Sequence, residues 1–276
     1  MKKISIKGNY NQVSLGDINN FYISRYSNID HKLVIDSKNI FSKKLTMIIT
    51  EITKYEKDFG IEDISDILEY DSLSELTRFI NSDCEPSNKF LEYFASKMFI
   101  SSEWMRFSRS YIFNYPGIRC LFVSELYELL LKENFEEMYF LTSDAKEREV
   151  MILLKYRNYV FRKCFRRIPL HKGVGASGQG MIYDFYKFLL KWSSNKEMVD
   201  KTIEYVIPEK VFESILIGDI YPGCIYKLKL HITYICQDLI CINCPEYEEA
   251  YYERVYDEDF FVCQNIIKNR LKNEQS

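Results

Sequence analysis

Between Gly60 and Phe107 the chain is cut into short amphipathic runs by polar breaks of a few residues, and this spacing limits the possible folds more than any other feature. A helical run, Glu62 to Glu69, meets the break Tyr70-Asp71-Ser72. A second run, Ser72 to Ile80, ends in the loop Asn81-Ser82-Asp83-Cys84-Glu85-Pro86-Ser87. A third, Asn88 to Met98, leads to Ile100-Ser101-Ser102-Glu103-Trp104-Met105. Ahead of them, helical periodicity puts Ile40, Leu45, Ile48, Ile49, Ile52 and Tyr55 on one face from about Asn39 to Asp58, closed by Gly60-Ile61. The spacing predicts a five-helix head in which two short helices meet at a tight turn.

Several of these stretches carry a family likeness. Ser74-Glu75-Leu76-Thr77-Arg78-Phe79-Ile80-Asn81 is similar to the recognition helix, and the turn after it, of the lambda-repressor-like (XRE-type) helix-turn-helix family. Glu85-Pro86-Ser87, the run Phe90-Leu91-Glu92-Tyr93-Phe94-Ala95, and Ser102-Glu103-Trp104-Met105 resemble the family's later landmarks, in order. The likeness covers about a quarter of the chain. It departs where the first helix of the motif lacks the usual Gln, and where Ser82-Asp83 stands in place of the usual Gly. The resemblance implies a prophage-type or stress-type regulator whose second short helix enters the major groove of duplex DNA.

Charge bears on that implication. Residues 61–107 hold ten carboxylates against four bases, Arg78, Lys89, Lys97 and Arg106. Affinity for DNA comes largely from Lys and Arg displacing phosphate counterions, and this segment offers few. From the second short helix, Ser72, Ser74, Thr77 and Arg78 are the residues expected to touch bases or phosphates. Two readings are open: a DNA-contacting head, or one kept as a dimerisation or protein-docking unit.

The whole chain has 276 residues, 47% of them apolar, enough for one or two cores, and a net charge of −3 that excludes a generic polycation. Met1-Lys2-Lys3 leads into polar sequence rather than an apolar signal region, and no run has the length of a membrane span. Eight irregularly spaced cysteines then read as reduced thiols, so a cytoplasmic protein with no membrane contact is expected. Residues 1–24 set Ile4, Ile6, Val13, Leu15 and Ile18 among Gly8, Gly16 and several Asn, a pattern for a short β arm joined by tight turns. Such an arm must pack on something, and self-association through it is one expectation.

The expected fold class is therefore composite: an all-helical helix-turn-helix head over 33–110, preceded by the β arm over 1–24 and followed by a mixed α+β domain over 117–276. Asn114-Tyr115-Pro116-Gly117 is the expected joint. In the mixed part, helices are expected at Ile118–Asn134, Ile182–Trp192, Pro208–Ile217 and from Asp257 to about Lys272, with a frayed tail beyond. Glu137–Leu141, Glu149–Lys155 and Tyr159–Arg166 read as strands, the last two joined by a turn at Arg157-Asn158, and a hairpin is expected across Cys224–Cys236 and Leu239–Cys244.

Chemistry concentrates in one interval. From Glu149 to Asp184 no carboxylate intervenes, while Lys155, Arg157, Arg162, Lys163, Arg166, Arg167 and Lys172 accumulate with Tyr156, Tyr159, Phe161 and Phe165 among them. Arg157, Arg162, Lys163, Arg166, Arg167 and Lys172 form a candidate anion or nucleic-acid patch. The competing reading neutralises them with the acidic stretch Glu246–Asp259. Gly173, Gly175, Gly178 and Gly180 follow as a candidate ligand loop ahead of a helix. Their spacing satisfies GxGxxG, but the flanking βαβ unit and the distal acid are missing. Cys241-Ile242-Asn243-Cys244 supplies one CxxC, where structural zinc needs two. Neither metal nor cofactor is expected, and no catalytic constellation is legible.

Together these observations lead to the expectation of a prophage-type DNA-binding transcriptional regulator, with duplex DNA as partner and a C-terminal domain for ligand sensing or oligomerisation. The alternative is a phage-defence or toxin–antitoxin-type protein. There the head would dock a protein partner and the basic second domain would bind nucleic acid or nucleotide. A nucleotide-processing enzyme centred on the glycines is the least supported reading.

Overall fold

The computed structural model describes residues 40–70, 72–108, 111–115, 117–118, 122–156, 159–228, 231–242 and 257–275, with backbone alone at 165, 166, 231, 232 and 275. Mutual contacts divide the chain into Met1–Ile40 and Phe41–Ser276. The arm expected over 1–24 and the turn expected at Arg157-Asn158 lie outside the described residues. What is described is mixed α and β, with one five-stranded sheet.

Five helices come first: α1 Ile40–Thr53, α2 Ile61–Leu68, α3 Leu73–Ile80, α4 Asn88–Lys97 and α5 Ser102–Phe107. Local hydrogen bonds set where four of them begin, by satisfying N–H groups that the helix itself leaves open. Asp63 accepts from Gly60 N at 2.7 Å, Ser72 from Glu75 N at 3.3 Å, Ser87 from Phe90 N at 3.2 Å and Ser101 from Trp104 N at 3.2 Å. Leu45, Ile48, Ile64, Leu68, Leu76, Phe79, Phe94 and Met105 are buried, and the ring of Phe41 meets Phe79, Phe90 and Phe94 edge-on. Lys44 is buried as well. Its Nζ donates to the carbonyls of Trp104 and Met105 at 2.7 and 2.8 Å, tying α1 to the end of α5.

The helix expected over Ile118–Asn134 is much shorter, a 3-10 turn at Val123–Glu125 running into α6, Leu126–Leu130. Asp184 decides this, because its carboxylate accepts from Ser124 N at 3.0 Å and from Ser124 Oγ.

Strands β1 Glu137–Ser143, β2 Glu149–Tyr156 and β3 Val160–Pro169 form an antiparallel meander. Helices α7 Ala176–Ser193 and α8 Lys196–Asp200 then cross to β4 Thr202–Ile207, which pairs parallel to β1. Helix α9, Glu209–Ile217, and a 3-10 turn at Pro222–Lys227 precede β5, His231–Ile232, which is antiparallel to β4. The order across the sheet is β3-β2-β1-β4-β5. Strands β1 and β2 are buried on both faces, so Met138–Thr142 and Val150–Leu154 read as nearly unbroken apolar runs rather than alternating ones. Met138, Phe140, Val150, Ile152, Leu154, Cys164 and Ile168 share one core with Ile182, Phe185, Leu189 and Trp192 of α7.

Two further expectations need correction, and one strand is additional. Among the described residues the hairpin across Cys224–Cys236 and Leu239–Cys244 is not formed: apart from the two residues of β5, they hold the 3-10 turn and α10, Ile235–Leu239. Pro222 begins the turn, and the buried Glu204 carboxylate accepts Cys236 N at 2.9 Å, fixing a helix start where a strand was expected. Strand β4 fills a stretch that periodicity leaves unassigned. The last helix, α11, Glu258–Gln275, passes Lys272, and Tyr183 donates to Glu274 at 2.7 Å there.

Candidate functional site

Helix α3 carries the residues singled out for DNA contact. Leu76 and Phe79 are buried, while Leu73, Ser74, Thr77 and Arg78 are exposed on the opposite side, as a 100° step per residue requires. Ser72 is half-buried and caps the helix through its Oγ, so its hydroxyl is engaged in holding α3 in shape. The hydroxyl of Thr77 donates back to Leu73 O at 2.8 Å. Periodicity finds three of the four exposed residues. It misses Leu73, 40% exposed, for which the signal is its i, i+4 relation to Thr77.

The acid of α3 is held aside. Glu75 accepts from Tyr70 Oη, and this hydrogen bond raises the phenol's pKa to about 12. Glu75 is half-buried, and Arg78 is the charged side chain of α3 that stands exposed. Elsewhere in the head, Lys97 meets Glu69 at 3.0 Å and Arg106 meets Glu92 at 3.3 Å. These pairs use two of the four bases of residues 61–107 and leave the excess of acids over bases unchanged, so the charge available to a phosphate there is that of Arg78 and Lys89.

The basic interval does not form one surface. Alternation along β3 turns Arg162 to the side of Cys164, where Glu133 accepts from its Nη1 at 2.9 Å, and Lys163 to the other, where Nζ donates to Leu216 O at 2.6 Å. Arg167 bridges Glu149 at 2.8 Å and Glu213 at 2.6 Å, and Lys172 meets Glu258 at 2.5 Å. Lys155 lies 3.7 Å from Glu56 and 3.8 Å from Glu137. Arg157 and the side chain of Arg166 lie outside the described residues. Of the acidic stretch Glu246–Asp259, the described part supplies a carboxylate to Lys172, while Lys155, Arg162 and Arg167 pair with acids from elsewhere in the chain.

The four glycines are not a loop either. Gly173 and Gly175 precede α7, with Gly175 as its extended N-cap, but Gly178 and Gly180 lie within the helix. A Cβ on Gly178 would come within 2.7 Å of Val174 Cβ, whereas one on Gly180 would meet nothing within 4 Å. Close packing of the turn against the first helical turn accounts for Gly178 without any phosphate. Of the cysteines, Cys236 and Cys263 are buried, Cys241 is exposed, and Cys244 lies outside the described residues.

Among the described residues no helix is long and apolar enough to cross a membrane. No family model matches the chain, and neither a curated protein nor a solved structure does.

Proposed function

We propose that the chain is a DNA-binding transcriptional regulator of the prophage type, docking α3 on duplex DNA, with the mixed part serving ligand sensing or assembly. The observation that carries this reading is the makeup of the α3 face. Leu73, Ser74, Thr77 and Arg78 stand exposed on one side of a short capped helix whose own carboxylate is half-buried and accepts from Tyr70. Such a face is small, mixed in chemistry and locally cationic, which suits base edges beside phosphate. The pairing of Arg162, Arg167 and Lys172 with carboxylates makes the second part a weaker candidate for the phosphate contacts.

The test is binding of the full chain to the duplex upstream of its own reading frame, against scrambled duplex and single strand, across a salt series. Duplex preference that falls with salt and is lost in Arg78→Ala supports the reading. Equal binding to all three nucleic acids, or none, overturns it.

A further inference from the structure

Resting on that reading, we propose that α3 recognises guanine flanked by thymine, with the thymine 5-methyl groups read by an apolar ribbon and the guanine by Arg78. The four exposed residues of α3 fall into two i, i+4 pairs. One pair, Leu73 and Thr77, is apolar on its outer surface. Leu73 is 40% exposed, and the Thr77 hydroxyl spends its donor on Leu73 O at 2.8 Å, so Thr77 offers a ligand its γ-methyl and no donor. The other pair, Ser74 and Arg78, is polar, and Arg78 is one residue from Thr77.

In the major groove thymine presents a 5-methyl group and an O4 acceptor, where cytosine and adenine present amino donors, and apolar contact is the means of reading that methyl. Guanine presents two acceptors that match a guanidinium fork. Leu73 and Thr77 are about 6 Å apart along the helix axis, close to two base steps of about 3.4 Å. Two thymine methyls near one guanine are therefore the pattern this face fits. Glu75, the carboxylate of α3 that could accept from a cytosine N4 amino group, is half-buried and already accepts from Tyr70.

The test selects bound duplexes from a randomised library with the full chain, then remakes the recovered duplex with uracil in place of each thymine, which deletes only the methyl. The recovered duplexes are expected to carry guanine next to thymine. At a position that α3 touches, uracil should weaken binding about fourfold for each methyl removed. Thr77→Ser keeps the hydroxyl and its bond to Leu73 while removing the methyl, so it should bind thymine and uracil forms alike at one position. Arg78→Ala should lose the guanine preference. Selected duplexes that bind equally well with uracil throughout would overturn methyl readout and leave DNA docking standing. Recovery of no duplex would overturn the docking reading and this inference with it.

Discussion

Burial forces two ionisable side chains against their ordinary chemistry, one in the sheet and one among the five helices. Glu204 on β4 is 7% exposed, and burial pushes its carboxyl up to about 7 from 4.5, although Cys236 N donates to it. The folded chain thus holds this proton more tightly than the unfolded one. Its contribution to stability is full below about pH 4.5 and is lost as pH rises through about 7, a change of roughly 3 kcal/mol. Glu204→Gln keeps an acceptor for Cys236 N and removes the charge. Denaturant unfolding at pH 4.5 and pH 8 should show a smaller fall for the variant; an unchanged fall would place its cause at another group. Lys44 is the opposite case, lowered to about 8 by burial among carbonyls. Its folded pKa lies below the unfolded value of 10.5, so stability should climb between about pH 8 and 10.5, and Lys44→Met should remove that climb in the same assay. Neither shift is legible in sequence, where Glu204 and Lys44 look like ordinary surface charges.

Among the elements, the helices of the head are the part most readable from sequence, because what starts them is local. Ser72, Ser87 and Ser101 each cap the N–H three residues on, and Ser87→Ala is expected to lower stability by about 1 kcal/mol in thermal melts. The glycines of α7 show the reverse. They look alike in sequence, yet Gly178 is packed against Val174 and Gly180 stands in open space. Gly178→Ala should destabilise by about 1–3 kcal/mol, while Gly180→Ala should stabilise by about 0.5–1 kcal/mol by favouring the helix. Equal effects in calorimetry would show that packing of Val174 does not distinguish the two sites. Sequence puts the start of α7 too late because glycines signal a loop unless a neighbouring turn needs their missing side chain.

On the scale of the whole molecule, the helices up to α5 and the sheet are joined by an aromatic seam. Tyr221 donates to Tyr159 O at 2.8 Å and packs its ring with Tyr55, Phe113 and Phe161. Phe113 N donates to Gly218 O at 2.8 Å, and a Cβ on Gly218, whose φ is +85°, would stand 1.9 Å from Phe113 O. Residues 41–276 are therefore expected to unfold in one transition, and Gly218→Ala to lower its midpoint by several degrees through loss of this approach. Two separate calorimetric transitions in the wild-type chain would refute the coupling. The five helices and the three strands of the meander are legible in the residues alone, since caps, 3.6-residue periodicity and apolar runs act over a few neighbours. Tertiary packing, by contrast, sets Thr202–Ile207 parallel to β1, joins Glu75 to Tyr70, and brings the basic strand and the turn after it to Glu133, Glu213 and Glu258. Apart from Glu75 and Tyr70, those partners lie far apart along the chain. Their pairing depends on where folding brings each backbone, which no local pattern of residues encodes.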